Sequence, residues 1–337
     1  LTQSEAEPGA GRLVAVVVTH QRLPQLRATL ARLLASAPEH LAQVVVVDNA
    51  STDGTGQWLA AQSDPRLVVQ TLSKNIGGAG GFAAGLRFAT EMLEPDWILV
   101  MDDDARPEPG ALARFHAVPR DGQKAWAAAV YYPSGRLCEM NRPTRNPFWH
   151  PRAFFGALSG GRQGFHVTDA DYASGTPSQI DAASFVGLFI SRTAIEQVGY
   201  PDPALFIYGD DVLYTLGIRK AGGKIGFDPS IRFEHDCESS QAGGLKIYDP
   251  VWRAYYHHRN IIFVYRRAAG VLFWPVMALI LLKWSRYARH YGDEAPAFRA
   301  LLRRAIRDGL RRDTSAALPE IQALAERARR AARFIPD

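Results

Sequence analysis

Three consecutive carboxylates, Asp102, Asp103 and Asp104, close a short apolar run from Trp97 to Met101 in the stretch DWILVMDDDARPEPG. Like charges this close repel one another, so a chain holds them on a solvated loop or where a cation cancels the charge. Alternate residues of an extended backbone share a side, which lets Asp102 and Asp104 reach one hard cation that could in turn hold a diphosphate. An acidic turn explains the same residues without any ligand. A second pair, Asp210 and Asp211, opens a segment in which Val212, Leu216 and Arg219 recur at helical spacing. Carboxylates suit that end of a helix macrodipole, and the same place presents a carboxylate into a crevice, as a general base requires. His235 follows a strand-like segment and is a candidate third metal ligand. Cys237 beside it raises a zinc alternative, set aside because no second Cys or His completes a spaced set.

Strands and helices must position these groups. Residues 13–19, LVAVVVT, read as a strand buried on both faces. Leu23, Leu26, Leu30, Leu33 and Leu34 then recur at helical spacing, with Pro24 in the first turn, before a second strand, QVVVVD, ends at Asp48. A helix over 54–62, a strand at 67–71 and a helix over GFAAGLRFATEML precede the strand that ends in the acidic cluster. Such alternation predicts an open α/β sheet, whose ligands sit at the carboxyl ends of the strands. Three polar strand ends would then converge: Thr19 to Arg22, Asp48 to Ser51, and the acidic cluster. Asp48 could bind a base or ribose edge and Arg22 a base or phosphate, although DNAST also reads as a loop with helix caps. The glycine-rich run from Lys74 to Phe82, which includes Asn75, Gly77 and Gly78, is expected to approach a ligand closely and offer helix-start N–H groups to an anion. No Gly-Lys-Ser/Thr follows it, which excludes a Walker loop. Residues 106–180 are expected to be long surface loops shaping an acceptor site, with Trp149 and His150 stacking on a sugar or simply packing the loop. FVGLFIS (185–191) reads as a strand and Arg192 to Val198 as a helix.

With 22% charged and 47% hydrophobic residues in 337, the composition is that of an ordinary globular protein of one or two domains. The net charge of +5 is uneven: from Trp252 onward 17 Lys and Arg face 7 Asp and Glu, whereas residues 1–251 hold 22 against 27. A basic end of this kind expects an anionic surface. Two cysteines are too few for a disulfide framework, so a reducing cytoplasm is the simpler expectation. Residues 1–12 are expected to be a loose end without a signal peptide. Ala268 to Leu282 is a 15-residue stretch without charge and contains Pro275. A spanning helix needs about 20 apolar residues, so a helix lying in one leaflet is the preferred expectation. Arg286, Arg289, Arg303, Arg304, Arg307, Arg311 and Arg312 then follow, as suits anionic headgroups. The alternatives are a contact face for a second copy in a homo-oligomer or a solvated helical face; no recognised nucleic-acid module is present.

The segments VVVTHQR, VVVVDNASTDGT, NIGGAGGF, WILVMDDDA and YGDDVLYTLGIRKAGGKIGFDPSIRFEH, in that order, resemble family 2 glycosyltransferases of the GT-A fold over residues 13 to about 260. The GT-A fold is Rossmann-like, a mainly parallel sheet with helices on both faces. NIGGAGGF and DDDA look most like galactofuranosyltransferases of bacterial cell-wall or O-antigen synthesis, with rhamnosyltransferases as near relatives. The resemblance implies that Asp102 and Asp104, with His235, hold Mn²⁺ or Mg²⁺ on the donor diphosphate. It implies Asp211 as catalytic base, with Asp210 positioning the acceptor. Thr19, Arg22, Asp48, Asn75, Gly77, Gly78, Asp102 and Asp103 would line the nucleotide-sugar pocket, and Trp149, Phe185 and Tyr208 are the acceptor-side candidates. In the galactofuran polymerases a tryptophan precedes the Asp-Asp pair; this chain has Gly209, which weighs against a polymerase.

The resulting expectation is a catalytic domain over 13–260 and a basic, hydrophobic helical region over 261–337, peripheral to the inner face of the plasma membrane. The activity expected is metal-dependent, inverting transfer from UDP-galactofuranose to a lipid-linked or cell-surface glycan. The alternatives are a rhamnosyltransferase using dTDP-rhamnose and a non-catalytic membrane-bound scaffold.

Overall fold

The valine-rich runs behave as their side chains dictate. β1 (Leu13–Thr19) is buried at every position, and β2 (Gln43–Asp48) at all but its first. Branching at Cβ restricts χ1 and suits the pleat, and burial on both faces explains why neither strand alternates with polar residues. The computed structural model describes residues 11–120, 122–237 and 247–333. α1 (Leu23–Leu34) joins β1 to β2. α2 (Thr55–Ala60), β3 (Leu67–Thr71), α3 (Gly77–Met92) and β4 (Trp97–Asp102) complete a parallel β3–β2–β1–β4 half-sheet.

The second half is mixed. β5 (Ala105–Pro107), α4 (Ala111–Ala117), β6 (Gln123–Tyr131), α5 (Pro151–Gly160), α6 (Asp169–Ala173), β7 (Ser178–Ile180), β8 (Leu188–Ser191), α7 (Arg192–Val198), α8 (Asp210–Lys220) and β9 (Lys224–His235) follow in order. The sheet runs β3–β2–β1–β4–β8–β6–β9–β5, with β7 on β9. β8 lies antiparallel to β4 and β6, β6 and β9 are parallel, and β5 and β7 are antiparallel to β9. One face packs Leu26, Leu30 and Leu33 of α1 with Leu112 and Phe115 of α4. The other packs Phe82, Leu86 and Ala89 of α3 with Ile195 of α7 and Tyr214 and Ile218 of α8.

Two local expectations fail for physical reasons. Residues 106–180 are not simply loops: they supply β6, which sits between β8 and β9. QKAWAAAVY hides this strand because alanine favours helices. The glycine-rich run is not a loop before α3 but its first turns. A Cβ on Gly81 would stand 2.5 Å from Val18 Cγ1, so the helix can lie on β1 only if that position is bare. Gly77 has φ +77°, and a Cβ there would meet the Phe206 carbonyl oxygen at 2.1 Å.

Beyond the sheet, α9 (Arg253–Ala269), α10 (Phe273–Ser285), α11 (Ala295–Arg311) and α12 (Leu318–Arg333) share a third apolar core that includes Tyr255, Ile262, Met277, Phe298 and Leu301. The boundary expected at residue 260 falls inside α9. Buried Arg259 and Asn260 of that helix grip the turn before α8: Asn260 Nδ2 donates to the carbonyls of Leu205 (3.0 Å), Ile207 (2.9 Å) and Tyr208 (2.8 Å), and Arg259 Nη2 to Leu205 (2.9 Å). The helical run 253–290 is long and apolar enough to cross a membrane, yet only 22% of its most apolar stretch is buried. Phe273, Met277 and Trp284 of α10 face the protein, while Val271 (96% exposed), Trp274 (64%) and Leu279 (71%) do not.

Candidate active site at the carboxyl ends of the strands

Sheet register brings the acidic residues together. Thr19 pairs with Asp48 across β1 and β2, and Val18 with Asp102 across β1 and β4, so the three polar strand ends share one edge, as expected. The chain turns at Asp103 and Asp104 into β5, whose Ala105 pairs with His235 of β9. That pairing sets His235 Nε2 3.0 Å from Asp104 Oδ1. One ligand atom each from Asp102, Asp104 and His235 lie within 4.8 Å of one another. Two carboxylates and an imidazole at this spacing fit a hard divalent cation. Thr29 of α1, absent from the sequence reading, donates its hydroxyl to the carbonyls of Asp103 (2.7 Å) and Ala105 (3.0 Å) and pins the acidic turn.

Charge and burial oppose each other here. Burial pushes Asp102 up to about 7, with Asp104 adding repulsion and His235 opposing it. Burial likewise lifts Asp103 to about 6, against the Thr19 hydroxyl (2.7 Å) and the Arg22 guanidinium (3.4 Å). Asp104 resists its burial and stays below the usual carboxylate range because His235 and Arg22 both bond to it. Burial alone would lower His235, but its bonds to Asp104 and Cys138 and the nearby carboxylate charges raise it to about 10. The geometry agrees. Nδ1 faces Asn141 Oδ1 at 2.7 Å and Nε2 faces Asp104 Oδ1 at 3.0 Å, two acceptors that a doubly protonated ring satisfies.

Gly209, with φ +77°, turns the chain into α8, and Asp210 and Asp211 form the first turn of that helix. Burial raises Asp210 well above the carboxylate range, helped by the charges of Asp211 and Asp102. The charge of Asp102 reaches Asp210, so the second acidic pair stands near the first. Burial lifts Asp211 to about 6, against the Val212 N–H that its Oδ1 accepts at 2.7 Å. Tyr208, just before the pair, packs edge-on to Tyr248 and His257.

Other expected site residues have structural partners. Arg22 is half-exposed and ion-paired to Asp104 and Asp103 rather than free for a phosphate. Asp48 is buried and accepts the Ser51 N–H at 2.9 Å, closing the DNAST loop. Asn75 Oδ1 accepts the Gly77 N–H (2.8 Å), Asn49 Oδ1 accepts that of Ile76 (2.9 Å), and the Phe206 carbonyl accepts that of Ala79 (3.1 Å). Most of the helix-start N–H groups expected to hold an anion are therefore already used; Gly78, with no atom within 4 Å of its Cβ position, is the open point of the run. Phe185 is 3% exposed between Phe82 and Tyr214, a core residue rather than an acceptor platform. Trp149 packs with Val212, Leu216 and Ala268. His150 is hydrogen-bonded through Nε2 to buried Asp181 at 2.7 Å, with about half of its side chain exposed. Finally, the second thiol missing from the sequence reading is Cys138, 4.0 Å from Cys237 and on the same side of His235. Its sequence separation hid it.

Similarity to known proteins bears on what this crevice does. A profile described as Glycosyl transferase family 2 matches residues 14–172. An undecaprenyl-phosphate mannosyltransferase of Micrococcus luteus is 35% identical over 245 residues, 69% of this chain and 89% of that relative. The chain belongs to glycosyltransferase family 2. Galactofuranosyltransferase GlfT1 of Mycolicibacterium smegmatis is 26% identical over 288 residues, 82% of this chain and 88% of the relative. The crystal structure of GalNAc-T7 with UDP, GalNAc and Mn²⁺ superposes with a TM-score of 0.52 at 14% identity, over 80% of this chain and 54% of the larger one, so the chain spans about half of that neighbour. The likeness is one of fold, the GT-A architecture. Within that family fold, Asp102, Asp104 and His235 are residues that could hold a metal.

Proposed function

We infer that this family 2 glycosyltransferase moves galactofuranose from UDP-galactofuranose to a lipid-linked or cell-surface glycan, with a divalent metal and inversion at the anomeric carbon. The observation that carries the reading is the convergence of Asp102, Asp104 and His235 within 4.8 Å of one another, with Asp210 near enough to feel the charge of Asp102. Mn²⁺ or Mg²⁺ held by these three side chains would supply Lewis-acid stabilisation of the departing diphosphate. His235 would offer Nε2 to such an ion while Nδ1–H stays on Asn141. Arg22, now bonded to Asp104, would then have its forked N–H groups available for a phosphate. Asp211 removes the proton from an acceptor hydroxyl whose oxygen bonds to the anomeric carbon as the bond to the nucleotide breaks on the opposite face. Asp210 keeps a proton, because two adjacent buried carboxylates do not both ionise readily, and so can donate a hydrogen bond to the sugar.

The likeness to GlfT1 supports the donor, and the name of the Micrococcus luteus relative supports a lipid-linked acceptor. The exposed apolar face of α10 and the exposed Arg286, Arg289, Arg303, Arg307, Arg311 and Arg312 support docking on an anionic membrane, where such an acceptor resides. The deciding experiment measures transfer and donor hydrolysis with UDP-galactofuranose and with dTDP-rhamnose in Mn²⁺. Wild type should turn over the first, and Asp211→Ala should bind UDP with Mn²⁺ but not turn over. Turnover of dTDP-rhamnose alone would replace the donor; unaltered turnover by Asp211→Ala would remove the catalytic assignment.

A further inference from the structure

His235 stands between two clusters and shows a different nitrogen to each. Nε2 faces Asp104, and Nδ1 faces the opposite way, toward Asn141 Oδ1. On that second side Cys138 Sγ lies 2.9 Å from the same Asn141 oxygen and 4.0 Å from Cys237 Sγ. One ligand atom each from Cys138, His235 and Cys237 lie within 4.8 Å of one another. The fold makes this cluster: Cys138 follows β6 and Cys237 follows β9, and those strands are parallel neighbours, with Tyr131 opposite Glu234. The proposed transfer reaction uses neither thiol.

We propose that Cys138, Cys237 and Nδ1 of His235 form a second metal site, for a thiophilic ion of the zinc class, which competes with the hard-cation site for His235. The competition rests on the proposed donor site; the thiol site itself does not.

Spacing supports it first. Two thiolates each about 2.3 Å from a tetrahedral ion stand about 3.8 Å apart. The thiols here are 4.0 Å apart, whereas a disulfide would need about 2.05 Å. Donor type supports it next, since two thiolates and an imidazole select zinc over Mn²⁺ or Mg²⁺. The sulfur of Met140 lies 3.3 Å from Cys237 Sγ and adds a soft atom on that side. A zinc-bound imidazole commonly donates its other N–H to a carboxylate, which fixes the tautomer. Asp104 already stands in that place, 3.0 Å from Nε2. Cys138 and His235 are buried, while Cys237 is partly exposed and gives the ion a way in.

Binding is a proton exchange without redox change. The ion displaces the two thiol protons and the Nδ1 proton to solvent, and the ring keeps Nε2–H on Asp104. That proton covers the lone pair a hard ion needs. With a hard ion on Nε2, the proton sits instead on Nδ1. One neutral ring carries one proton, so holding both ions at once would require loss of that proton too, which sets the two sites in competition for His235.

The test uses the metal-free full chain titrated with Co²⁺ as optical probe and Zn²⁺ as competitor. One equivalent of Co²⁺ should produce thiolate-to-cobalt charge-transfer absorption, Zn²⁺ should remove it, and Asp102→Asn should retain it. Cys138→Ser and Cys237→Ser should each lose it; the partly exposed Cys237 decides the matter if the buried Cys138 variant unfolds by circular dichroism. No such absorption from folded wild type, or a wild-type spectrum from Cys237→Ser, overturns the site. Bound zinc should raise the Mn²⁺ concentration needed for half-maximal UDP binding about tenfold in wild type but not in Cys237→Ser. An unchanged requirement in zinc-loaded wild type overturns the competition. Absence of Mn²⁺-dependent UDP binding before any zinc is added is instead the failure of the donor-site reading, and the cobalt spectrum still decides the thiol site.

Discussion

The crevice and α10 invert the usual rule of solvation in opposite senses. In the crevice, Asp103, Asp104, Asp210 and His235 are each less than a tenth exposed. On α10, Trp274, Leu279 and Leu282 are more than half exposed. Buried charge is tolerated only when compensated, and here Arg22 and a protonated His235 compensate it. Exposed large apolar groups side by side mark a surface meant for something other than water. The difference teaches that the two regions depart from ordinary solvation for different reasons: under the proposed function a small cation and its anionic ligand would complete the acidic cluster, and an apolar phase would cover the helix.

The comparison breaks if one change disturbs both regions, or if either proves indifferent to its partner. The largest expected effect is on the crevice. Asp104→Ala should weaken Mn²⁺-dependent UDP binding, measured by calorimetry, by more than about 100-fold, because it removes one of three ligands, while liposome flotation stays unchanged. Unaltered UDP binding would count against the metal cluster. Next is the joint between the regions. Asn260→Ala leaves the Ile207 and Tyr208 carbonyls before α8 without their Asn260 donor, Leu205 keeping Arg259, and should cost about 2 kcal/mol in denaturant unfolding. It should also lower kcat more than donor affinity; a stability loss with kcat intact would deny that α9 positions the acidic pair. On the membrane side, Trp274→Glu with Leu279→Glu should reduce flotation with anionic liposomes about tenfold and leave UDP binding alone. If flotation persists, α10 is not the docking face.

The smallest effect sharpens the assignment of the base. Asp211, raised to about 6 by burial, is the ionised base only above that value. Lowering pH through 6 protonates it, so kcat/KM should fall about tenfold per pH unit on the acid side. Asp211→Asn should erase that limb from the residual rate; a limb that survives belongs to another group.

The sequence showed the parallel half-sheet through its valine runs, with β3 and α7 at their observed limits. It also singled out Asp102, Asp104 and His235, whose ligand atoms the fold brings within 4.8 Å of one another. It started α3 four residues late, because the glycines that let the helix lie close on β1 read as a loop before it. It missed β6, because alanine propensity says helix where only a central strand position fits.

Local pattern alone therefore determined the strand–helix alternation, the carboxylates at strand ends and the apolar, arginine-rich end of the chain, since each follows from spacing within about ten residues. Tertiary structure alone decided which distant groups share a proton or a charge: Arg22 on Asp104, Thr29 under the acidic turn, Asn260 on the Tyr208 carbonyl, and Cys138 beside Cys237 on one side of His235. The thiol pair and the place of His235 beside Asp104 depend on the register of β5, β6 and β9. Register is set by the packing of the whole sheet, not by any one strand.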